Sequence, residues 1–180
     1  MGGHTMTREP VKLTDNLIIV DNRGWHDWSN EAALKELSAQ IHGQRSFDDD
    51  VIWIDDNNSA TADKSDIPMA ITDKIDCTTL VFNGIGGIDA VENITELIET
   101  CRQNTKRLPS VVITHGDKIS DKEVNKMIVF LENEKIDREK IFVVKNVTSK
   151  DESLDDKTRS CIGRFIGICQ DDGQAGNLAY

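Results

Sequence analysis

Four short apolar runs, each followed by polar residues, set the pattern of the chain. They lie at 17–20, 77–82, 111–113 and 141–144, and all are continuous except 77–82, which includes two threonines. Continuous apolar runs are typical of strands that are buried on both faces of a parallel sheet. Between these runs, apolar residues recur at three- and four-residue spacing, which predicts amphipathic helices. The pattern therefore predicts an α/β three-layer fold, a mainly parallel sheet with helices on both faces.

The local signals predict where most elements begin and end. Residues 8–13 and 17–20 read as a hairpin around the turn-forming residues 14–16, and the second strand ends at Asp21. A final helix is predicted over about 153–169. Gly43 ends the first predicted helix. The predicted N-caps are, in chain order, Ser29 or Asn30, then Asp89 with Glu92 and Ser120 with Glu123 at capping-box spacing.

The domain organisation follows from where this pattern weakens. Residues 1–170 are predicted to form one domain. Within it, residues 44–74 are rich in Asp, Asn and Ser, so we expect a mobile insertion there. Residues 171–180 are expected to be a disordered tail.

Composition narrows the function classes. The net charge of −11 and the pI of about 4.7 argue against a nucleic-acid binder, because such proteins carry clustered Lys and Arg. The four cysteines are widely separated, which favours reduced core thiols over a zinc site. No apolar run approaches membrane-spanning length and the chain shows no signal core, so a cytoplasmic location without membrane contact is expected.

Polar and glycine residues follow each apolar run, where ligands bind in parallel sheets. They are Asp21-Asn22-Arg23-Gly24, Asn83-Gly84, Thr114-His115-Gly116-Asp117 and Lys145-Asn146. The segment 84–87 is glycine-rich, but a flexible turn is a commoner meaning of such a segment than a phosphate cradle. Asp21 with Gly24 is equally compatible with a nucleotide site and with a plain polar turn.

Thr114-His115-Gly116-Asp117 is the strongest of these signals. A carboxylate just beyond a strand can accept two parallel hydrogen bonds from the ring N–H and exocyclic amine of guanine. Adenine offers no such donor pair. The segment therefore favours a guanine-binding site with Asp117 as its acceptor.

Together the motifs resemble a GTPase domain of the translation-factor-related class of P-loop NTPases. Asp21-x-x-Gly24 is similar to its metal and γ-phosphate motif, and Thr114-x-x-Asp117 to its guanine motif, although the family usually has Lys where His115 lies. The resemblance implies GTP or GDP with Mg²⁺ as ligand. The implied nucleotide-binding residues are Thr114, His115, Asp117, Asn146, Asp21 and Gly24. The implied metal ligands are Asp21 with Thr5 or Thr7, and each threonine is equally compatible with being an ordinary polar residue of the N-terminus.

A narrower resemblance covers roughly residues 5–169. The run from Asp21 to Ile41-His42-Gly43, and then residues 73–77, is similar to the interferon-induced protein 44 family of GTPase-like proteins. That family membership would imply a role in the immune response.

One departure from the class governs the functional prediction. The sequence contains no Gly-x-x-x-x-Gly-Lys-Ser/Thr, so the phosphate loop and the strand before it are missing, and the chain is expected to begin inside the first switch loop. The absent strand would lie between those ending at Asp21 and Phe82. These two must then pair directly, leave a gap or accept a strand from another chain, which predicts a marginal or partner-dependent fold.

The sequence thus predicts an incomplete or degenerate GTPase-like domain with weak or no hydrolysis by itself, and no catalytic residue is assigned. The alternative is a non-enzymatic pseudo-GTPase that binds a protein partner, or itself, through its sheet edge.

Overall fold

The secondary structure alternates strands and helices along the chain. A computed structural model describes residues 8, 10–22, 31–46, 74–90, 94–146 and 153–176. The strands are β1 (Pro10–Thr14), β2 (Leu17–Val20), β3 (Thr79–Asn83), β4 (Ser110–Thr114) and β5 (Ile141–Val143). The α-helices are α1 (Glu31–Ile41), α2 (Thr95–Thr105), α3 (Asp121–Asn133) and α4 (Asp156–Gly176), and two 3₁₀ helices span Gly84–Ala90 and Arg138–Lys140.

The described strands form two separate sheets. β1 and β2 pair as an antiparallel hairpin, which confirms that prediction. β3, β4 and β5 form a parallel sheet in that order. The fold is therefore a mixed α/β fold with a three-stranded parallel sheet. β2 and β3 are not paired with each other, so the direct pairing considered for the missing strand is not formed.

Strand alternation assigns the two faces of the parallel sheet. Leu80, Val111 and Ile141 are in register, and they lie in the main core with apolar residues of α1, α2 and α3. Phe142 points to the opposite face, because successive side chains alternate along a strand. There its ring meets Phe165 of α4 edge-on, with centroids 5.3 Å apart. The buried core residues of the helices are Leu37, Ile41, Leu97, Ile98, Cys101, Met127, Ile128 and Leu131.

The helix starts agree only partly with the predictions. The capping box of α3 is confirmed: the Glu123 N–H donates to Ser120 Oγ, and the Ser120 N–H donates to the Glu123 carboxylate. The prediction of a capping box at Asp89 is wrong, because Asp89 lies in the first 3₁₀ helix and α2 begins only at Thr95. Gly87 has a φ of 61°, which interrupts that stretch. Glu92, Ser29 and Asn30 lie outside the described residues.

The predicted end of the last helix, at about residue 169, was also wrong. Residues 171–176, expected in a disordered tail, are the last turns of α4. Asp172 stabilises these turns, since its carboxylate binds Arg107 at 3.1 Å and Lys140 at 2.7 Å. Residues 177–180 lie outside the described residues.

Most of the predicted mobile insertion, residues 47–73, also lies outside the described residues. Arg45, near the start of this segment, contacts α1. Arg45 forms a buried ion pair with Glu36 at 2.9 Å. Arg8, which is 1% exposed, donates to the Arg45 carbonyl and to Asn22 after β2. These contacts join the hairpin to the end of α1.

Candidate functional site

The candidate site lies at the carboxyl ends of the parallel strands. Thr114, the last residue of β4, donates its hydroxyl hydrogen to the Phe82 carbonyl of β3 at 3.0 Å. The same hydroxyl oxygen lies 3.1 Å from Nδ1 of His115. Because that hydroxyl has only one hydrogen, its oxygen accepts from the imidazole. The Thr114 side chain therefore connects two strands and holds the His115 ring.

His115 is held from its other side by Asn146, which follows β5. Asn146 Nδ2 lies 3.2 Å from His115 Nε2, and Asn146 Oδ1 accepts the His115 backbone N–H at 3.3 Å. An amide nitrogen only donates, so Nε2 accepts and the imidazole hydrogen lies on Nδ1. A continuous hydrogen-bonded chain thus runs from Asn146 through His115 and Thr114 to the Phe82 carbonyl. The three side chains therefore form one hydrogen-bonded cluster at the carboxyl ends of neighbouring strands.

The backbone around this cluster is tightly packed. A Cβ on Gly84 would lie 2.5 Å from the Thr114 carbonyl oxygen and 2.7 Å from the Ile119 side chain. A Cβ on Gly116 would lie 2.6 Å from the Val143 side chain. Contacts below 3.0 Å exclude a side chain without movement of the neighbours. Gly84 is therefore needed for close approach of β3 to β4, which accounts for it without a phosphate cradle.

Asp117 lies at the tip of the turn that follows β4. His115 adopts a left-handed φ of 58°, and its carbonyl accepts the Lys118 N–H at 2.9 Å. The Gly116 N–H donates to the Val144 carbonyl, which fixes the turn to β5. The Asp117 side chain is exposed, and its carboxylate has no hydrogen bond or ion pair within the described part of the chain. A rigid turn thus presents a free carboxylate beside the ordered cluster.

The position of Asn146 depends on two residues that the sequence reasoning missed. The Lys145 N–H donates to the hydroxyl of Thr158, which is 3% exposed in the first turn of α4. The Thr158 N–H in turn donates to the Asp155 carboxylate at 2.6 Å. This backbone hydrogen bond is the main reason that the pKa of Asp155 is lowered. The available signal was an Asp three residues before Thr158, which is N-cap spacing.

Of the remaining predicted site residues, only Asp21 is described, and it is not part of the hydrogen-bonded cluster. Asp21 follows β2 in the two-stranded sheet, whereas the cluster belongs to the parallel sheet. Gly24, Thr5 and Thr7 lie outside the described residues. Across residues 8–22, 31–46, 74–90, 94–146 and 153–176, apart from position 9, no three His, Cys, Asp or Glu side chains are placed to hold a metal ion. The magnesium site stays a prediction.

Comparison of the chain with protein-family models, curated proteins and solved structures gives no match. None of the helices in the described ranges combines the length and the apolar character needed to cross a membrane.

Proposed function

We propose that the chain is a GTPase-like domain that binds the base of a guanine nucleotide at the carboxyl ends of β4 and β5, with weak or no hydrolysis by itself. The observation that carries the proposal is the free Asp117 carboxylate, presented by a rigid turn beside the cluster of Thr114, His115 and Asn146. Each of these four residues lies just beyond a parallel strand or at its end, where ligands bind in such sheets.

The chemistry of Asp117 suits guanine. An ionised carboxylate only accepts hydrogen bonds, and guanine presents two adjacent donors, its ring N–H and its exocyclic amine. Charge-assisted pairs of this kind are stronger than neutral ones and fix the orientation of the ligand. Because Asp117 has no partner within the described residues, it has no protein hydrogen bond to give up on binding.

The cluster of Thr114, His115 and Asn146 could form one wall of a pocket for the base. His115 is bonded at both ring nitrogens, so the plane of its ring is set before a ligand arrives. A base stacking on that ring would lose little side-chain entropy from the protein. The Lys of the related family covers the base with an aliphatic stem, and His115 replaces that stem with a flat ring.

Binding of the phosphates is expected to be weak. The chain has no phosphate loop, and Gly84 is explained by strand packing. Asp21 with Gly24 would then act on the metal and γ-phosphate side, with Thr5 or Thr7 as a further magnesium ligand. Phosphoryl transfer depends on positioning and on neutralising charge at the phosphates. Without a phosphate loop, little of that neutralisation is available, and slow or absent turnover follows.

A titration with a fluorescent guanosine diphosphate, with and without Mg²⁺, tests the proposal. We expect saturable binding that is lost on Asp117→Ala. Asp76→Ala is the matched control, because Asp76 is also exposed but lies before β3, at the opposite end of the sheet. No binding at millimolar nucleotide, or equal losses in the two variants, would refute the proposal.

One observation favours the second candidate, a non-enzymatic interaction module. Val81 in β3 is 66% exposed and Ile85 just after it is 56% exposed, although parallel strands are normally covered on both faces. One edge of β3 is also unpaired among the described strands. Sedimentation of Val81→Lys beside the unmodified chain distinguishes the candidates. Association that the lysine abolishes, without nucleotide binding, would favour the interaction module.

A further inference from the structure

Two cysteines that are distant in sequence meet at the amino end of the sheet. Cys77 directly precedes the strand region of β3 and is half-buried, whereas Cys169 lies in α4 and is 5% exposed. The Cys77 thiol donates to the Cys169 carbonyl oxygen at 4.0 Å, which places the two residues side by side. Both are free thiols in the structure. Helix α4 thus brings Cys169 into contact with Cys77 across a separation of 92 residues.

The surroundings give the two thiols different roles. The neighbouring Cys77 side chain lowers the pKa of Cys169, and Thr79 and the charge of Lys140 add to this, against the opposing effects of burial and Asp172. The same pairing raises the pKa of Cys77, with burial and the charges of Asp172 and Asp76 acting in the same direction. Cys169 is therefore the thiol that ionises more readily to the thiolate, which is the reactive form, and Cys77 is the one that more readily keeps its proton.

The remaining cysteines provide an internal contrast. Cys101 is 1% exposed within the main core, and burial raises the pKa of its thiol to about 11. Cys161 is more accessible, but it lies about two helical turns before Cys169 in α4. The contact between Cys77 and Cys169 joins two of the four cysteines, all of which are described.

We propose that Cys77 and Cys169 are a modification site, a dithiol that peroxides convert into a reversible intramolecular disulfide. The Cys169 thiolate attacks one peroxide oxygen, the O–O bond breaks, and hydroxide leaves and takes up a proton, which leaves a sulfenic acid. The Cys77 sulfur then attacks the Cys169 sulfur, the S–O bond breaks, and water leaves with the Cys77 proton. Two thiols and one peroxide thus give one disulfide and two waters. A dithiol such as dithiothreitol returns the two electrons.

Such a bond would covalently join α4 to the start of β3. α4 already contacts β5 through Phe165 and the hairpin through Gln170, which donates to Thr14 at 3.1 Å. The link lies at the end of the sheet away from Asp117. It is therefore independent of the proposed nucleotide site, and the failure of one proposal leaves the other standing.

The test is treatment of the folded, reduced chain with one molar equivalent of hydrogen peroxide, then alkylation of the remaining thiols and mass mapping of unreduced peptides. We expect a linked peptide pair containing Cys77 and Cys169, lighter by two hydrogen atoms, that dithiothreitol separates. Cys101 and Cys161 are expected to be recovered as alkylated thiols. Recovery of Cys77 and Cys169 as alkylated thiols, or links only between molecules, would overturn the proposal.

Two variants make the result specific. Cys161→Ser is the matched control and should leave the yield of the linked pair unchanged. Cys77→Ser should leave a sulfenic acid on Cys169 that a dimedone probe captures. Dimedone capture on Cys161 rather than Cys169 would contradict the assignment of the thiolate. The mapping of the unmodified chain needs no variant, so the proposal stays falsifiable if a variant does not fold.

Discussion

The two ends of the parallel sheet use their carboxylates in opposite ways. At the amino end, Asp172 of α4 is bound by Arg107 and Lys140, and all three side chains are about four-fifths buried. At the carboxyl end, Asp117 is exposed and has no partner within the described residues. The residues beside Asp117 are nevertheless fully engaged, since His115 is bonded at both ring nitrogens.

This difference separates a structural carboxylate from one available to a ligand. Asp172 satisfies two cations from segments distant in sequence and thereby holds α4 against the sheet. Asp117 contributes nothing comparable to the fold, yet the turn that presents it is held by three backbone or side-chain contacts. Exposed carboxylates are common on an acidic protein, but Asp117 lies next to a hydrogen-bonded polar cluster at the end of the sheet.

Disruption of the carboxyl end should have the largest effect. In Gly84→Ala the new methyl group meets the Thr114 carbonyl oxygen, so we expect the free energy of unfolding to fall by about 2–3 kcal/mol, as in other overpacked sites. Urea denaturation measures this. The control is Gly163→Ala inside α4, where nothing lies within 4 Å and helix propensity should raise stability by about 1 kcal/mol. Equal effects of the two variants would contradict the close approach described at Gly84.

Disruption of the amino end should cost less. Asp172→Ala leaves Arg107 and Lys140 without their shared partner, and we expect a loss of about 1–2 kcal/mol because the site is partly solvated. Asp171→Ala, at the exposed neighbouring position, should change stability very little. Both values come from urea denaturation. Because Asp172 lies at the opposite end of the sheet from Asp117, we also expect Asp172→Ala to leave the affinity for guanine nucleotide unchanged. A loss of affinity in that variant would contradict the distinction between the two ends.

The smallest expected effect is on the free energy of unfolding at acidic pH, where the carboxylates of Glu123 and Asp155 become protonated. The hydrogen bonds of Ser120 lower the pKa of Glu123 from 4.5, and the backbone N–H of Thr158 lowers that of Asp155 from 3.8. Both carboxyl groups have a lower pKa in the folded chain than in the unfolded chain. The stability that they contribute is therefore complete at pH values above the unfolded pKa, and it is lost as the pH falls through the folded pKa. Stability measured by urea denaturation across this window should fall less steeply in a Glu123→Gln, Asp155→Asn double variant. If stability depended on pH equally steeply in the double variant and the unmodified chain, the stabilising role of these two helix caps would be contradicted.

Local patterns in the sequence predicted the strands and one cap well. Continuous apolar runs located β3, β4 and β5, and the spacing of Ser120 and Glu123 predicted the α3 capping box. Both features depend on residues close together in the chain. The extent of α4 could not be predicted in this way, because Asp172 is held by cations 65 and 32 residues away.

The site shows the same division between local and distant contacts. That Thr114, His115 and Asn146 lie together was predictable, since parallel strands bring their carboxyl ends to one edge. The hydrogen-bonded chain through them was not, because it depends on which atoms face each other. Thr158 was missed for that reason: its hydroxyl acts on a backbone N–H that no sequence pattern identifies. The close packing that requires Gly84 was hidden in the same way.

The central claim is that Asp117 binds the guanine base, and the most direct test of it is the substitution Asp117→Asn. Asparagine keeps one oxygen acceptor but replaces the other with an amide donor, which matches xanthine, where a carbonyl replaces the exocyclic amine of guanine. Competition of guanosine and xanthosine diphosphates against a fluorescent probe should therefore show Asp117→Asn losing guanine affinity by roughly 10- to 100-fold while gaining affinity for xanthine. Unchanged guanine affinity in that variant would contradict the claim that Asp117 reads the base.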